Sequence, residues 1–239
     1  MTSESRRAVE KGAVDTVAAA IATGAGIAVG GPVGGIVGAS SAPILSSAAG
    51  MLIEHVRQRR LHRSGEVLRN VARTLGTDED SVVHRLISDD GILELASRVI
   101  LAAQDISLEQ KRLALARALA AAISDGSPAT LDVSGLIARA ITGLDAPHIR
   151  MMAILEDAVP VPSQPDDAMK YGMRLSEITQ KDPGLAEGAY AILRQLIYLG
   201  VAEDATNGMT FLDIYRAYAL SELGRKVLET LRGDPSADS

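Results

Sequence analysis

The sequence predicts a mainly α-helical protein, and three observations lead to that fold class. Alanine and leucine are abundant, and both residues favour helices. Apolar residues make up 47% of the 239 residues, which is enough for a core, so the composition is not that of a disordered chain. After residue 63, apolar residues recur at the three- and four-residue spacing of amphipathic helices. We therefore expect an N-terminal apolar helical hairpin, a helical bundle and a small C-terminal α+β domain.

Changes in composition place the predicted domain boundaries. The linker is VPVPSQPDD, which holds three prolines and lacks the helix period. The chain has no cysteine, which excludes disulfides, thiolate chemistry and cysteine–zinc sites and fits a reducing compartment. The first 15 residues lack the apolar core of a signal peptide. The segments are an apolar hairpin with basic flanks (1–63), a bundle (64–158), a linker (159–167), a C-terminal domain (168–232) and a disordered tail (233–239).

The N-terminal segment is dominated by an uncharged run from Thr16 to Ile53. This run is longer than the ~20 residues that one membrane-spanning helix needs. Pro32 follows two glycines near its middle, and a proline there breaks a helix. The run therefore divides into two arms, residues 13–30 and 33–53, each roughly 27–32 Å long as a helix at ~1.5 Å per residue.

Small residues recur at every fourth position of this run, and glycine occupies four successive positions of the series. Small residues on one helix face allow two backbones to approach closely, as in helix pairs within membranes. The pattern resembles the glycine-zipper hairpins of membrane-associated bacterial proteins. We expect these glycines to pack helices against each other, between copies of the chain as well, so that the protein is a homo-oligomer. They are Gly26, Gly30, Gly34 and Gly38.

Basic residues flank the apolar run on both sides. Residues 1–75 carry nine Lys/Arg against five Asp/Glu, whereas the whole chain has a net charge of −6. Basic flanks predict a hairpin with both ends in the cytoplasm, at the inner face of the cell membrane, and favour contact with anionic lipid headgroups. The alternative is that they form the solvated face of a helix that continues to Leu75. The predicted headgroup contacts are Arg57, Arg59, Arg60 and Arg63.

Several amphipathic helices follow. Leu75-Gly76 ends one helix, and acids at 78–80 and 89–90 stand where helix caps are expected. Ser107 with Gln110 predicts a capped helix over 108–123. The next helix is predicted from about Asp132, and another opens at Asp145.

The C-terminal segment predicts a short helix over 175–179 with Ser176 as its cap, a helix over 185–199, a strand pair joined by Asn207-Gly208, and a closing helix. The stretch YALSELGRKVLETL resembles the wing strand and following helix of small bacterial winged-helix domains. Such a domain could contact nucleic acid. However, acids at 187, 203, 204 and 213 oppose phosphate binding, so a protein partner is the stronger expectation. The alternative nucleic-acid contacts are Arg194, Arg216 and Arg225.

Sequence motifs for catalysis are absent. The four histidines are far apart, and no HExxH spacing occurs. The glycine-rich stretch lacks the Lys-Ser or Lys-Thr pair of a phosphate loop, and the serines within it have no nearby base. We therefore predict a protein that is not an enzyme and has no catalytic residue, cofactor or metal.

The overall layout resembles the abortive-infection alpha family of bacterial proteins. The resemblance is carried by the Ala/Gly-rich N-terminal region, the helical segments EQKRLALARALAAAI and HIRMMAILEDA, and the closing LIYLGVAED and YALSELGRKVLETL. It implies a non-catalytic role in defence against phage.

Two function hypotheses follow. The first is a non-enzymatic bacterial protein that associates with the membrane or inserts into it conditionally, because the apolar run is only weakly hydrophobic. The second is a soluble adaptor or transcriptional regulator that binds protein or DNA through its winged helix. In that case the apolar run would be a helical hairpin buried in the core of a soluble bundle.

Overall fold

The computed structural model describes residues 47–161, 170–206 and 216–233, and it describes side chains over 53–158, 172–206 and 216–233. The four predicted packing glycines lie outside these residues, as do the predicted Asn-Gly turn and residues 234–239 of the predicted C-terminal tail. The chain divides into two compact units, Met1–Ser107 and Leu108–Ser239. A mainly helical fold with a small sheet is confirmed.

The first unit contains three helices in its described part: α1 (Ser47–Leu75), α2 (Glu79–Ser88) and α3 (Asp90–Asp105). Each packs against the other two, with Val67 and Val71 of α1 fully buried. Asp78 and Asp89 cap α2 and α3, because their carboxylates accept bonds from the backbone N–H groups three residues later, at 2.8 and 2.9 Å. The capping roles predicted for the acidic clusters are confirmed at Asp78 and Asp89, whereas Thr77, which its spacing to Asp80 predicts as the cap of α2, does not occupy that position.

The second unit begins with α4 (Glu109–Asp125), α5 (Pro128–Gly143) and α6 (Ala146–Glu156). The predicted Ser107 cap is wrong, because Leu108 occupies the cap position of α4 without a side-chain bond. α5 begins four residues earlier than predicted. Ser127 accepts a bond from the Thr130 N–H at 3.2 Å, and Pro128 suits the first helical position because its missing N–H is not needed there.

The same unit continues with β1 (Val159–Val161), β2 (Lys170–Arg174), α7 (Leu175–Lys181), a 3-10 turn (Pro183–Leu185), α8 (Ala189–Tyr198), β3 (Ala202–Asp204), β4 (Ala217–Leu220) and α9 (Glu222–Arg232). The sheet is antiparallel with the order β1-β2-β4-β3. β3 and β4 pair as predicted, but Asp204 lies opposite Tyr218, a register that a two-residue turn at Asn207-Gly208 would not give.

Several local details differ from the sequence prediction. β1 lies within the predicted linker, where three prolines hide the strand pattern. β2 was not predicted either, because a strand of five residues is too short to show a clear alternation. Ser176 does not cap α7. Instead the Glu177 carboxylate accepts the Arg174 N–H at 2.7 Å. The predicted helix over 185–199 is divided into the 3-10 turn and α8.

α9 packs on α4, α5 and α6 and closes over the turn that precedes β3. A Cβ on Gly224 would lie 1.9 Å from the Val201 carbonyl oxygen, so only glycine permits this approach. The Arg232 guanidinium joins α9 to α6 through two bonds to the Glu156 carboxylate, at 2.7 and 2.6 Å. The core of the second unit is aliphatic, as the low aromatic content requires, and it includes Leu115, Leu119, Ile141, Met151, Met152 and Leu231.

Candidate functional site

The first described side chains of α1, residues 53–62, are not buried against any other described part of the chain. Every residue from 53 to 62 is exposed, whichever way it points around the helix. Ile53, the last residue of the apolar run, is 69% exposed, and Val56 one turn later is exposed as well. The C-terminal half of the same helix buries Ser64, Val67 and Val71 against the rest of its unit. The segment 53–62, which we call the α1 stalk, therefore presents apolar and basic side chains together.

Two of the four predicted headgroup arginines are available on the stalk. The Arg57 guanidinium lies 3.9 Å from the Glu54 carboxylate, and both side chains are more than half exposed, so this ion pair contributes little. Arg59 is exposed and makes no ion pair within the described ranges.

The other two arginines fasten α1 to the end of α3. Arg60 forms an ion pair with Asp105 at 3.0 Å. Arg63 is half-buried and donates to the Gln104 carbonyl oxygen at 2.7 Å. That carbonyl belongs to the last turn of α3, where unpaired carbonyls and the helix dipole favour a cation. Arg60 and Arg63 therefore contact α3, whereas Arg57 and Arg59 make no contact with another element among the described residues.

The three arginines predicted as alternative nucleic-acid contacts belong to three different elements, and each has its own local contact. Arg194 of α8 lies over the Tyr190 ring at 5.9 Å. Arg216 forms an ion pair with Asp204 at 3.7 Å. Arg225 donates to the Leu220 carbonyl oxygen at 3.0 Å and pairs with Glu222 at 3.2 Å. Carboxylates therefore offset two of the three charges that would have to meet phosphate.

α8 carries an exposed face that the sequence analysis missed. Tyr198 is 83% exposed and Tyr190 is 51% exposed, with Ile197 also exposed beside them. The opposite face buries Ala189, Leu193 and Leu196. The spacing of the large side chains could have revealed this face. Residues 190, 194, 197 and 198 recur at helical spacing on the side away from the buried residues. Tyrosine and arginine are the residue types that protein contact surfaces favour.

Lys111 of α4 is buried, which the sequence did not suggest, because a lysine near the start of an alanine-rich helix is normally solvated. It is 4% exposed and donates to the Thr142 carbonyl at 3.2 Å and to the Leu144 carbonyl. Burial lowers the pKa of the Lys111 ammonium, and the nearby Asp145 carboxylate opposes that shift. The ammonium thus caps the C-terminal end of α5 from inside the unit.

His148 completes this junction between α5 and α6. The Asp145 backbone N–H donates to His148 Nδ1 at 3.0 Å, a bond that only an unprotonated Nδ1 can accept. Burial lowers the pKa of His148, Asp145 raises it, and Lys111 lowers it further. The Lys111 and His148 side chains pair with backbone groups at helix ends, which accounts for their placement through packing and capping.

Two open clefts complete the described surface. One of about 590 Å³ lies where α1 meets α2 and is lined by Arg69, Arg73 and residues 77–80. The other, of about 530 Å³, is lined by Arg117, Ser134 and the end of α9. The described ranges contain no group of three His, Asp or Glu side chains close enough to hold a metal ion. Of the helices in those ranges, none combines the length and apolar character needed to cross a bilayer.

Comparison with known proteins gives no match to a family model, to a curated protein or to a solved structure.

Proposed function

We propose that this chain is a non-enzymatic bacterial protein that associates with the cytoplasmic face of a membrane through its glycine-rich apolar run. One observation carries the proposal. The α1 stalk continues the apolar run as a helix, and each of its residues from 53 to 62 is exposed. A stretch of helix with no buried face gains no stability from packing, so the apolar side chains of the stalk favour contact with a second surface.

The chemistry of the stalk fits the boundary between lipid and water. Ile53 ends the uncharged run and Val56 follows three residues later, with Arg57 directly after it and Arg59 two residues further on. Aliphatic side chains bury in the acyl boundary, while guanidinium groups reach phosphates at the headgroup level. Each basic side chain near an anionic surface contributes roughly 1 kcal/mol.

The proposal includes the finer fold of both ends of the chain. The glycines at 26, 30, 34 and 38 would pack the two arms of an apolar hairpin and join copies into an oligomer. The order β2, α7, α8, β3, β4, with β4 between β2 and β3, supports a winged-helix-like arrangement of the C-terminal domain. The resemblance to the abortive-infection alpha family supports a role in phage defence for the whole protein.

The test is flotation and dye release with full-length protein on phosphatidylcholine vesicles, with and without phosphatidylglycerol. The Arg57→Gln, Arg59→Gln variant should bind anionic vesicles about thirtyfold more weakly, from roughly 1 kcal/mol per arginine. The matched control is Arg69→Gln, Arg73→Gln, which removes two exposed arginines from the far end of the same helix. Equal loss in both variants would mean a general charge effect, and no flotation of the parent protein would refute membrane association.

A second variant addresses the glycines. Gly30→Leu, Gly34→Leu should abolish dye release and the oligomer that forms on vesicles, because bulky side chains keep helix backbones apart. The idea is wrong if both properties survive these substitutions.

The alternative function is a soluble adaptor or regulator, and the exposed face of α8 favours it. If that face binds DNA, retention of a duplex should fall with salt and should be lost in Arg194→Gln. Arg216→Gln and Arg225→Gln should then weaken retention less, because carboxylates already offset those charges.

A further inference from the structure

The exposed face of α8 is symmetric about its central residue. Arg194 stands four residues from Tyr190 and four residues from Tyr198. Ala191 and Ile197, three residues away on each side, are also exposed and flank this row. A helix turns about 100° per residue, so these five residues occupy one stripe about 120° wide along two turns. We call this stripe, residues 190, 191, 194, 197 and 198, the α8 face.

We propose that the α8 face pairs with the α8 face of a second copy of this chain, antiparallel and about a two-fold axis at Arg194. A two-fold contact requires one surface to complement itself. Around this axis, Tyr198 of one copy meets the small Ala191 of the other, and Tyr190 meets Ile197. Each tyrosine thus faces an apolar neighbour, the small Ala191 or the aliphatic Ile197.

The charge of the face supports this occupant over a nucleic acid. Arg194 is the one charged residue of the α8 face, and within the described residues its contact is the Tyr190 ring at 5.9 Å rather than a carboxylate. Near the axis each guanidinium can lie between aromatic rings, where cation–π attraction offsets the repulsion of two exposed, salt-screened charges. Glu187, Glu203 and Asp204 near the ends of α8 repel a phosphate backbone and leave an apolar contact undisturbed.

The size of the face sets the strength of the dimer. Two helices of ten residues meet over about 15 Å, so the contact buries on the order of 800–1,000 Å² in total. That is below the range of stable complexes and within that of weak, reversible ones. We therefore expect a dimer that forms only at high concentration, and one that needs no lipid and does not rest on the proposed membrane role.

Disulfide trapping tests the register of the pair, because the chain contains no cysteine. Arg194→Cys should give a disulfide-linked dimer, since its two copies meet at the axis. Tyr198→Cys alone should not, because its two copies would be about 12 Å apart along the helices, beyond disulfide reach. The Ala191→Cys, Tyr198→Cys double variant should again give a linked dimer. The control is Leu136→Cys, at an exposed position on α5.

Sedimentation of the full chain without lipid tests the affinity. Tyr190→Ser, Tyr198→Ser should weaken the dimer at least about tenfold, while Leu136→Ser should leave it unchanged. Trapping of Arg194→Cys should persist in the Gly30→Leu, Gly34→Leu background, which separates this contact from pairing through the glycines. Equal trapping at all positions, no trapping at 194, or an unchanged dimer in the double serine variant would each refute the proposal. Arg194-dependent retention of DNA by a monomer would identify the face as a nucleic-acid surface instead.

Discussion

Arg63 in the first unit and Lys111 in the second make the same kind of contact at different depths. Each is a cation from one helix that donates to the last carbonyls of another, Arg63 to Gln104 and Lys111 to Thr142 and Leu144. Arg63 is half-buried and keeps part of its guanidinium in water, whereas Lys111 is almost fully enclosed. We expect the fold to depend more on the deeper of these two helix-capping cations.

The physical reason is the cost of leaving a polar group without a partner. At the surface, water replaces a lost donor, so the net worth of one hydrogen bond is about 1 kcal/mol. Inside the unit, water has no access, and each abandoned carbonyl costs about 1–3 kcal/mol. Burying the ammonium is itself costly, which is why burial lowers the Lys111 pKa.

The largest expected effect is that of Lys111→Met. It should lower the free energy of unfolding by about 2 kcal/mol, because the buried Leu144 carbonyl and the partly buried Thr142 carbonyl lose their donor while the desolvation of the charge is relieved. Urea unfolding followed by circular dichroism measures it, with Lys226→Met on the exposed side of α9 as the control. An unchanged or higher midpoint would show that water enters the junction and takes over from the ammonium.

A smaller effect at the same junction depends on pH. Since burial lowers the pKa of folded His148 below 6.5, the unfolded chain binds the proton more readily. Stability should therefore fall as the pH drops through 6.5 towards the lowered folded pKa, and level off below that value. His148→Gln, whose side-chain oxygen can accept the Asp145 N–H at any pH, should remove this part of the slope in unfolding midpoints. His84→Gln, at an exposed position, should leave the slope as it is.

The matching substitution in the first unit is Arg63→Ala. We expect a loss of about 1 kcal/mol, from one partly solvated hydrogen bond at the end of α3. Arg59→Ala, on the exposed side of the same helix, is the control and should change the midpoint little. A loss as large as that of Lys111→Met would contradict the role of depth.

The smallest effect should come from Arg60. Its ion pair with Asp105 is exposed on both sides, so a double-mutant cycle of Arg60→Ala with Asp105→Ala should give a coupling of about 0.5 kcal/mol or less. This coupling should shrink in high salt, because exposed charges are screened. A coupling above about 1 kcal/mol that resists salt would place this pair with the buried contacts.

Local signals predicted much of the helical scaffold. Gly76 and Gly200 stand at the predicted helix ends with φ of 62° and 73°, because glycine tolerates the left-handed conformation that closes a helix. Asp78 and Asp89 cap the helices they precede, and β3 pairs with β4 as expected. Such signals act over three or four residues, so they can be read without knowledge of distant contacts.

The candidate sites were harder to predict, because exposure depends on residues far away in the sequence. Four of the seven residues from 57 to 63 are arginines, and the sequence does not distinguish them. In the structure, Arg60 and Arg63 contact α3, whereas Arg57 and Arg59 are exposed to solvent. Likewise the buried and exposed sides of α8 could be separated by spacing, but which side meets solvent follows from the helices and strands around it.

The sequence by itself determined that this protein is mainly helical, where most helices begin and end, and that one apolar, glycine-rich segment carries basic flanks. Only the tertiary structure decided that Lys111 is enclosed, that Val159–Val161 pairs as a strand, and that Tyr190 and Tyr198 stand in solvent. Backbone preference is set within a few residues of each position, whereas burial and the partner of each charge are set by segments that meet only when the chain folds.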